Sequence, residues 1–538
     1  MSLIARTLIA HSLIARMLIA QTSTVTAATL GSRLLGFARD AGTAAVLGAG
    51  PLADALMAAL SLPLLARRLL AEGAFNAALI PALGSVANQA GPQAARHLAR
   101  GALIVLAGTL TVLTLVAMVF MSGLIRLLAP GFALDGERAD LAVQCGRLAL
   151  LYVPLAGVAA IHGAVANGAR RILLPALAPM LANMVVLAVI AALLVGGRVG
   201  TPFAAQAMAA CTVVSGIAQA LLMLLAARGV LPRPVSPPVS PPTAGGSRDW
   251  AGDVAGGARV LRASAPALLF AGLSQFRLLL VAAVVSATPG AVAALNYAQR
   301  LVDLPLGVVG ASAGAILVPL LVAGGARADA ARADGARRDH ATGAALAALA
   351  LALPAGLGLF VLAEPIVTVL YQRASFTAED GVLTATLLRM LALSLPAQGL
   401  ERVLCATALS HGLQRPAERV GLASLALCLL LAVPLWRWAG APGAAAAVAI
   451  SACVSAGAML LLLVRRALLR WTDGTRRQLR ALGLAGGVMA AVVTVAQSAW
   501  SVPAAGTLEG LARLILLVAV GLATFAGTWL ATGGRARR

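Results

Sequence analysis

Ser32-Arg33-Leu34-Leu35-Gly36-Phe37-Ala38-Arg39-Asp40 lies inside an apolar run, and Arg67-Arg68, followed by Glu72, lies inside the next. Charge at the depth of a bilayer costs several kcal/mol, about 2.5–3.5 on insertion scales, unless it faces a watery or paired interior. Two such stretches in succession therefore decide the class of molecule. They belong to helices that cross a membrane and keep cations on an inner face, as a protein that handles an anion would.

Working outward, the rest of the chain has the same character. Its 538 residues are 60% hydrophobic and 11% charged, with a mean hydropathy of +0.93. A soluble protein of this length exposes far more charge. The apolar runs approach the ~20 residues that span hydrocarbon, and they do not alternate as the strands of a membrane barrel do. The fold class is an all-α polytopic membrane protein. The formal net charge of +22 comes from arginine alone, since the chain has no lysine. The basic residues are dispersed among spans without interleaved aromatics, which argues against a nucleic-acid partner; the Ala/Gly/Leu/Arg bias fits a GC-rich genome. Cys145, Cys211, Cys405, Cys428 and Cys453 are scattered through apolar runs without metal or disulfide spacing, and no cofactor or metal is expected.

Reading apolar runs between charged or Pro/Gly breaks gives about fourteen spans, at 22–46, 53–82, 99–123, 139–165, 174–196, 203–226, 258–286, 291–323, 341–363, 381–411, 418–437, 443–464, 481–500 and 508–532. Alternate loops hold most of the arginines, including Arg170-Arg171, Arg337-Arg338 and Arg465-Arg466. The opposite loops hold Arg126, Arg138, Arg198, Arg373 and Arg437, mixed with acids. Positive charge stays on the cytoplasmic side, so both termini are expected there. Residues 1–21, with Ser2-Leu3-Ile4-Ala5-Arg6 repeated at Ser12-Leu13-Ile14-Ala15-Arg16, read as a basic cytoplasmic lead-in.

Residues 228–252 are Pro/Ser/Gly-rich and read as a cytoplasmic linker. The spans on either side match. Pro81 and Pro319, Phe132 and Phe376, and Asn167-Gly168-Ala169-Arg170 with His411-Gly412-Leu413-Gln414-Arg415 recur about 240 residues apart. The expected domains are an N-lobe at 22–227 (spans 1–6), a C-lobe at 253–466 (spans 7–12), and 467–538 with spans 13 and 14 and a basic tail. A parallel repeat of this kind places substrate between its halves.

Arginine suits a diphosphate, because its planar fork donates paired hydrogen bonds and keeps its charge when desolvated. On that ground Arg33, Arg39 and Arg67 are candidate ligand contacts. Arg33 and Asp40 are seven residues apart and share a helix face, while Arg39 lies about 100° from Asp40. Arg39–Asp40 and Arg68–Glu72 can equally be pairs that hold helices together, the second at the i,i+4 spacing. Arg300 and Asp303, near the end of a span, allow either a ligand role or snorkelling to the interface. Arg402 with Glu401 is a candidate gate pair, and Arg277 reads as structural.

The block from Ser32 to Asp40, Gly48-Ala49-Gly50, Asp54, Leu62-Pro63 and Arg67 through Phe75 closely resembles the N-terminal signature of the MurJ (MviN) lipid II flippases. The resemblance continues through Ala129-Pro130-Gly131-Phe132, Pro175 to Pro179 with Asn183, Tyr297-Ala298-Gln299-Arg300-Leu301, Pro305, Gly307, Pro319 and Arg373 to Asp380, and covers nearly the whole chain. It implies the multidrug/oligosaccharidyl-lipid/polysaccharide exporter fold, with two six-helix lobes around a central cavity and two extra helices forming a groove. It implies movement of lipid II from the cytoplasmic to the periplasmic leaflet of the bacterial inner membrane. Arg33, Arg39, Arg67 and Arg300 match the family's cavity arginines. Asp54 and Glu72 match charged positions, and Asp40 sits in the signature. Asp40, Asp54, Arg68, Glu72, Asp303 and Arg402 are the gating or ion-coupling candidates. The chain departs from the family's pattern at Leu56 to Ser61, where a lysine and aromatics are common. It departs again at Gly412-Leu413-Gln414-Arg415-Pro416, which lacks an acid, and at Arg277, where a small polar residue is usual.

The expected partners are lipid II and membrane lipids, the expected state is a monomer, and the expected drive is membrane potential or a monovalent cation. No GxxxxGK[ST] motif points to ATP. The alternatives are an exporter of another polyprenyl-diphosphate saccharide, a multidrug antiporter, a membrane scaffold and a lipid-processing enzyme. An enzyme would want clustered acids or a catalytic histidine. His11, His97, His162, His340 and His411 form no cluster in the sequence, and a transporter is the expectation.

Overall fold

A computed structural model describes residues 31–71, 74–134, 136–230, 253–323, 330–469, 472–499 and 507–532. The expected lead-in (1–21), most of the linker (228–252), Glu72 and the end of the tail lie outside the described residues. Among the described residues all regular structure is helical. The helices are α1 (31–47), α2 (Pro51–Ala71), α3 (Ala74–Val119), α4 (Met121–Leu128), α5 (Gly136–Leu150), α6 (Tyr152–Gly168), α7 (Leu173–Val195), α8 (Pro202–Ala227) and α9 (Asp253–Val285). The series continues with α10 (Ala291–Ala323), α11 (Ala330–Val361), α12 (Ala363–Tyr371), α13 (Ala378–Ala392), α14 (Leu395–Ser410), α15 (Gln414–Arg465), α16 (Asp473–Ser498) and α17 (Leu508–Ala531).

Eight helices among the described residues are long and apolar enough to cross a membrane, and the pair α13 and α14, bent by 42°, makes a ninth. The chain is an integral membrane protein. The 52 residues of α15 would run about 78 Å if straight, far beyond one crossing of a ~30 Å core. The helix is broken at Ala439 and Gly440, where the backbone of Gly440 turns to φ 64°. That break falls between the spans expected at 418–437 and 443–464. Helix α3 breaks likewise at Gly91 (φ 87°), so the end of the second expected span and the third run on within one element. Large apolar side chains stand exposed, such as Leu115, Val116 and Val119 of α3, Leu221 and Leu224 of α8, and Ile515 and Leu522 of α17. Lipid is the solvent that tolerates such faces.

The chain divides into two compact units. The first holds residues up to Thr43, Ala59–Ile125 and Asp140–Gly272; the second holds Ala44–Ala58, Arg126–Ala139 and Leu273–Arg538. Within the first, Leu79, Leu83, Leu98 and Leu106 of α3, Tyr152 and Ile161 of α6 and Val260 of α9 form one buried apolar cluster. Gly257 of α9 lies so close to α3 that a Cβ there would come within 2.3 Å of the Ala102 nitrogen. Within the second, α10 packs on α11, α13 and α14, α14 on α15, and α16 and α17 on each other and on α11.

These units and the two sequence halves divide the chain differently. Residues 44–58 and 126–139 precede the linker yet belong to the second unit, and the first part of α9 follows the linker yet belongs to the first. The physical reason is tertiary bonding, described next, that no sequence period records.

Candidate functional site

In the first unit, α1 presents Arg33, Arg39 and Asp40, all half-buried. Arg39 donates from Nε (3.0 Å) and Nη2 (2.6 Å) to Asp40 Oδ1, and from Nη1 to Asn183 Oδ1 of α7 (3.0 Å). Neighbours in a helix do not share a face, but the arginine stem is long enough to fold back on the next residue. Asn183 is buried, and its Nδ2 donates to the Ser32 carbonyl at 3.0 Å, which fixes which end of the amide faces Arg39. The approach of α7 needs Gly36, since a Cβ there would sit 3.3 Å from Asn183 Nδ2. The Arg39 fork is thereby held between a carboxylate and an amide, with 17% of its side chain still exposed.

Arg67 and Arg68, near the end of α2, are also half-buried. The Arg67 Nε is buried and has no hydrogen-bond partner among the described residues. Glu72 is outside them, so the i,i+4 pairing with Arg68 has no structural description.

In the second unit, Asp54 is fully buried in the first turn of α2. Its Oδ2 accepts from the Gly290 amide (2.7 Å) and from Arg138 Nη1 (3.3 Å), and its Oδ1 accepts from the Ala293 amide (2.8 Å). The carboxylate caps the start of α10 from another helix, where unsatisfied amides and the helix dipole both favour an anion. Arg138 stands 4.3 Å from the Phe132 ring centroid and donates to the Gly131 carbonyl. The sequence placed Arg138 among loop arginines; here it is buried because its partner is 84 residues away. Gly290 (φ 81°) also lets the Ala49 carbonyl approach to where a Cβ would meet it at 2.3 Å.

Three further bonds hold residues 44–58 in this unit. The Ser375 amide donates to the Ala45 carbonyl (3.0 Å), Tyr297 Oη donates to the Gly48 carbonyl (3.0 Å), and the Ala49 amide donates to Asp380 Oδ2 (3.1 Å). Asp380 also forms the capping box of α13 with Thr377. Tyr297, Tyr371 and Phe376 pack ring against ring, with centroids 5.4–6.0 Å apart.

Arg300 and Asp303 lie half-buried on α10, where Gln299 donates to Asp303 Oδ1 at 2.7 Å. Arg402 is exposed on α14, with Nη1 3.5 Å from the Leu306 carbonyl. Its neighbour Glu401 is engaged elsewhere. Arg277 donates to it through both Nη atoms (3.1 and 2.6 Å), and Ser455 Oγ donates to its Oε1 (2.6 Å). Sequence reasoning assigned no role to Asn183, Arg138 or the Glu401–Arg277 pairing. The one available signal was charge or amide inside an apolar run; the partners, 84 to 144 residues away, carry no local signature. No group of three or more His, Cys, Asp or Glu able to hold a metal occurs among the described residues.

The family model for the lipid II flippase MurJ matches residues 43–507. A probable lipid II flippase MurJ of Rhizobium tropici is 30% identical over 92% of this chain and 91% of its own length. The chain belongs to the lipid II flippase MurJ family. A second relative, from Bdellovibrio bacteriovorus, is 31% identical over 93% of this chain and 91% of its own. A solved structure of the lipid II flippase MurJ in an inward closed conformation aligns with a TM-score of 0.73, at 17% identity, covering 94% of this chain and 97% of that one. An inward-facing MATE-family multidrug transporter of the MOP superfamily aligns with a TM-score of 0.63, at 16% identity, over 81% of this chain and 95% of its own. At those identities the structural matches speak to the fold alone, which this chain shares with both.

Proposed function

We propose that this chain flips lipid II from the cytoplasmic to the periplasmic leaflet of the bacterial inner membrane by alternating access, with both termini cytoplasmic and the protein acting as a monomer. Arg33, Arg39, Arg67 and Arg300 hold the diphosphate. The observation that carries this reading is the state of the first-unit arginines. Arg39 is clamped yet accessible, and Arg67 keeps a buried Nε without a partner among the described residues. A membrane protein spends such donors on an anionic ligand, for which the guanidinium fork is shaped. Family membership names the anion.

In this reading Asp54 and Asp380 gate the site by holding residues 44–58 in the second unit, and Asp40, Arg68, Glu72, Asp303 and Arg402 take part in gating or coupling. The polyprenyl tail stays in the bilayer, guided by α16 and α17. Moving one negative charge outward from a negative interior is favourable by about 2.3 kcal/mol per 100 mV, so membrane potential has the right sign to drive the step. The chain transports and does not transform its substrate.

The experiment is complementation of a flippase-depleted strain with Arg39→Ala and Arg67→Ala at matched membrane levels. Loss of growth rescue with both variants is expected; full rescue by both would sink the diphosphate clamp. The likeness to a multidrug transporter favours a second reading, export of a different substrate. Drugs that are organic cations would be repelled by these arginines. Competition between lipid II and an organic cation for the purified protein separates the two.

A further inference from the structure

The Arg277–Glu401–Ser455 centre of the second unit uses none of the residues assigned to substrate and has an unusual composition for buried side chains. Arg277 is eight residues before the end of α9 and Ser455 ten before the end of α15, about 12 and 15 Å along their helices. Counted from those helix ends, both distances are close to half the ~30 Å thickness of a hydrocarbon core. The side chains of Arg277 and Glu401 are only 4% and 15% exposed. Glu401 takes two donors from the guanidinium and one from the Ser455 hydroxyl. Arg277 Nε is buried with no hydrogen-bond partner among the described residues.

A carboxylate and a hydroxyl converging at mid-membrane are oxygen ligands for a cation, and without one the carboxylate would be an uncompensated buried charge. The guanidinium supplies that positive charge at a cost, leaving one donor unsatisfied in a dry place. Its value there is its charge more than complete hydrogen bonding. It is also permanent, since arginine does not lose its proton in proteins.

We infer that Glu401 and Ser455 form a monovalent-cation site whose occupant is the tethered guanidinium of Arg277, so that the second unit carries its counter-charge covalently and takes up no free ion there. This inference does not depend on the lipid substrate. It predicts that any ion coupling in this chain is seated elsewhere, and that deleting the tether opens a real site for a small cation.

The test is thermal melting of the purified full-length protein in detergent, with choline chloride as the baseline and sodium or guanidinium chloride added at low millimolar concentration. A ligand that binds only the folded state raises Tm in a saturable way. Wild type is expected to show no saturable response that depends on Glu401. Arg277→Ala is expected to melt lower in choline and to recover several degrees in guanidinium or sodium. The double variant Arg277→Ala with Glu401→Gln is expected to show no response. Absence of a saturable response in Arg277→Ala overturns the inference, as does a sodium response in wild type that Glu401→Gln abolishes. If Arg277→Ala does not accumulate, Arg277→Lys and Arg277→Met, similar in bulk, take its place. The lysine variant should melt with wild type and the methionine variant below it, gaining in guanidinium; equal melting of the two overturns the inference.

Discussion

Two arginine–aspartate pairs, one within α1 and one anchored on α2, are built to different standards. Arg39–Asp40 has side chains 17% and 16% exposed, whereas Arg138–Asp54 has 3% and 0%. The first pair joins sequence neighbours and leans on one amide from α7. The second joins residues 84 apart and is completed by two amides at the start of α10. The accessible pair leaves part of the arginine side chain open to its surroundings. The sealed pair fixes residues 44–58 and 126–139 to the second unit.

The contrast breaks first at Asp54. Asp54→Leu strands a buried arginine and two amides, and removing one partner of a buried pair costs about 3–5 kcal/mol. A large fall in Tm of the purified protein is expected, and an unchanged Tm would mean the sealed pair holds nothing. Next is Arg39→Ala. A hydrogen bond to a charged group is worth about 1.5–3 kcal/mol, so lipid II binding should weaken roughly tenfold to a hundredfold. The melting temperature should fall less than for Asp54→Leu, because the carboxylate and amide left behind are only half-buried and keep some contact with their surroundings. A smaller loss is expected for Asn183→Leu, at most about tenfold in binding. It should vanish in an Arg39→Ala background, since groups acting through one another are not additive. An additive double variant would show that Asn183 acts by packing. The smallest effect belongs to Arg389–Glu364, whose side chains are 35% and 51% exposed. Arg389→Ala should shift stability by less than about 1 kcal/mol in denaturation and leave transport unchanged.

Much of the architecture is legible in the sequence because a span is a local property. An apolar run bounded by charge or a turn must be a helix, since hydrocarbon offers the backbone no other partners. The run read at 291–323 is α10, Ala291–Ala323, and the run read at 508–532 is α17, Leu508–Ala531. The breaks are less legible. At Ser394, where α13 gives way to α14, Pro396 in the first turn of α14 marks a helix start that the span read at 381–411 runs through, and the Ser394 hydroxyl bonds back to the Leu391 carbonyl. Of the site, the arginines of α1 and α2 are conspicuous because they violate the apolar pattern. Arg138 is not, because it follows Glu137 in a polar stretch that reads as loop.

The sequence by itself determined that this chain is a membrane protein of many apolar helices with cations inside its apolar runs, and its residue blocks carried the family resemblance. Both follow from local composition and order along the chain. Only the tertiary structure decided which carboxylate or amide answers which arginine: Asp40 and Asn183 for Arg39, Asp54 for Arg138, Glu401 for Arg277. Most of those pairings join residues about a hundred or more positions apart. They are selected by the low dielectric of the packed interior, where an unpaired charge is too costly to leave and any partner in reach is taken.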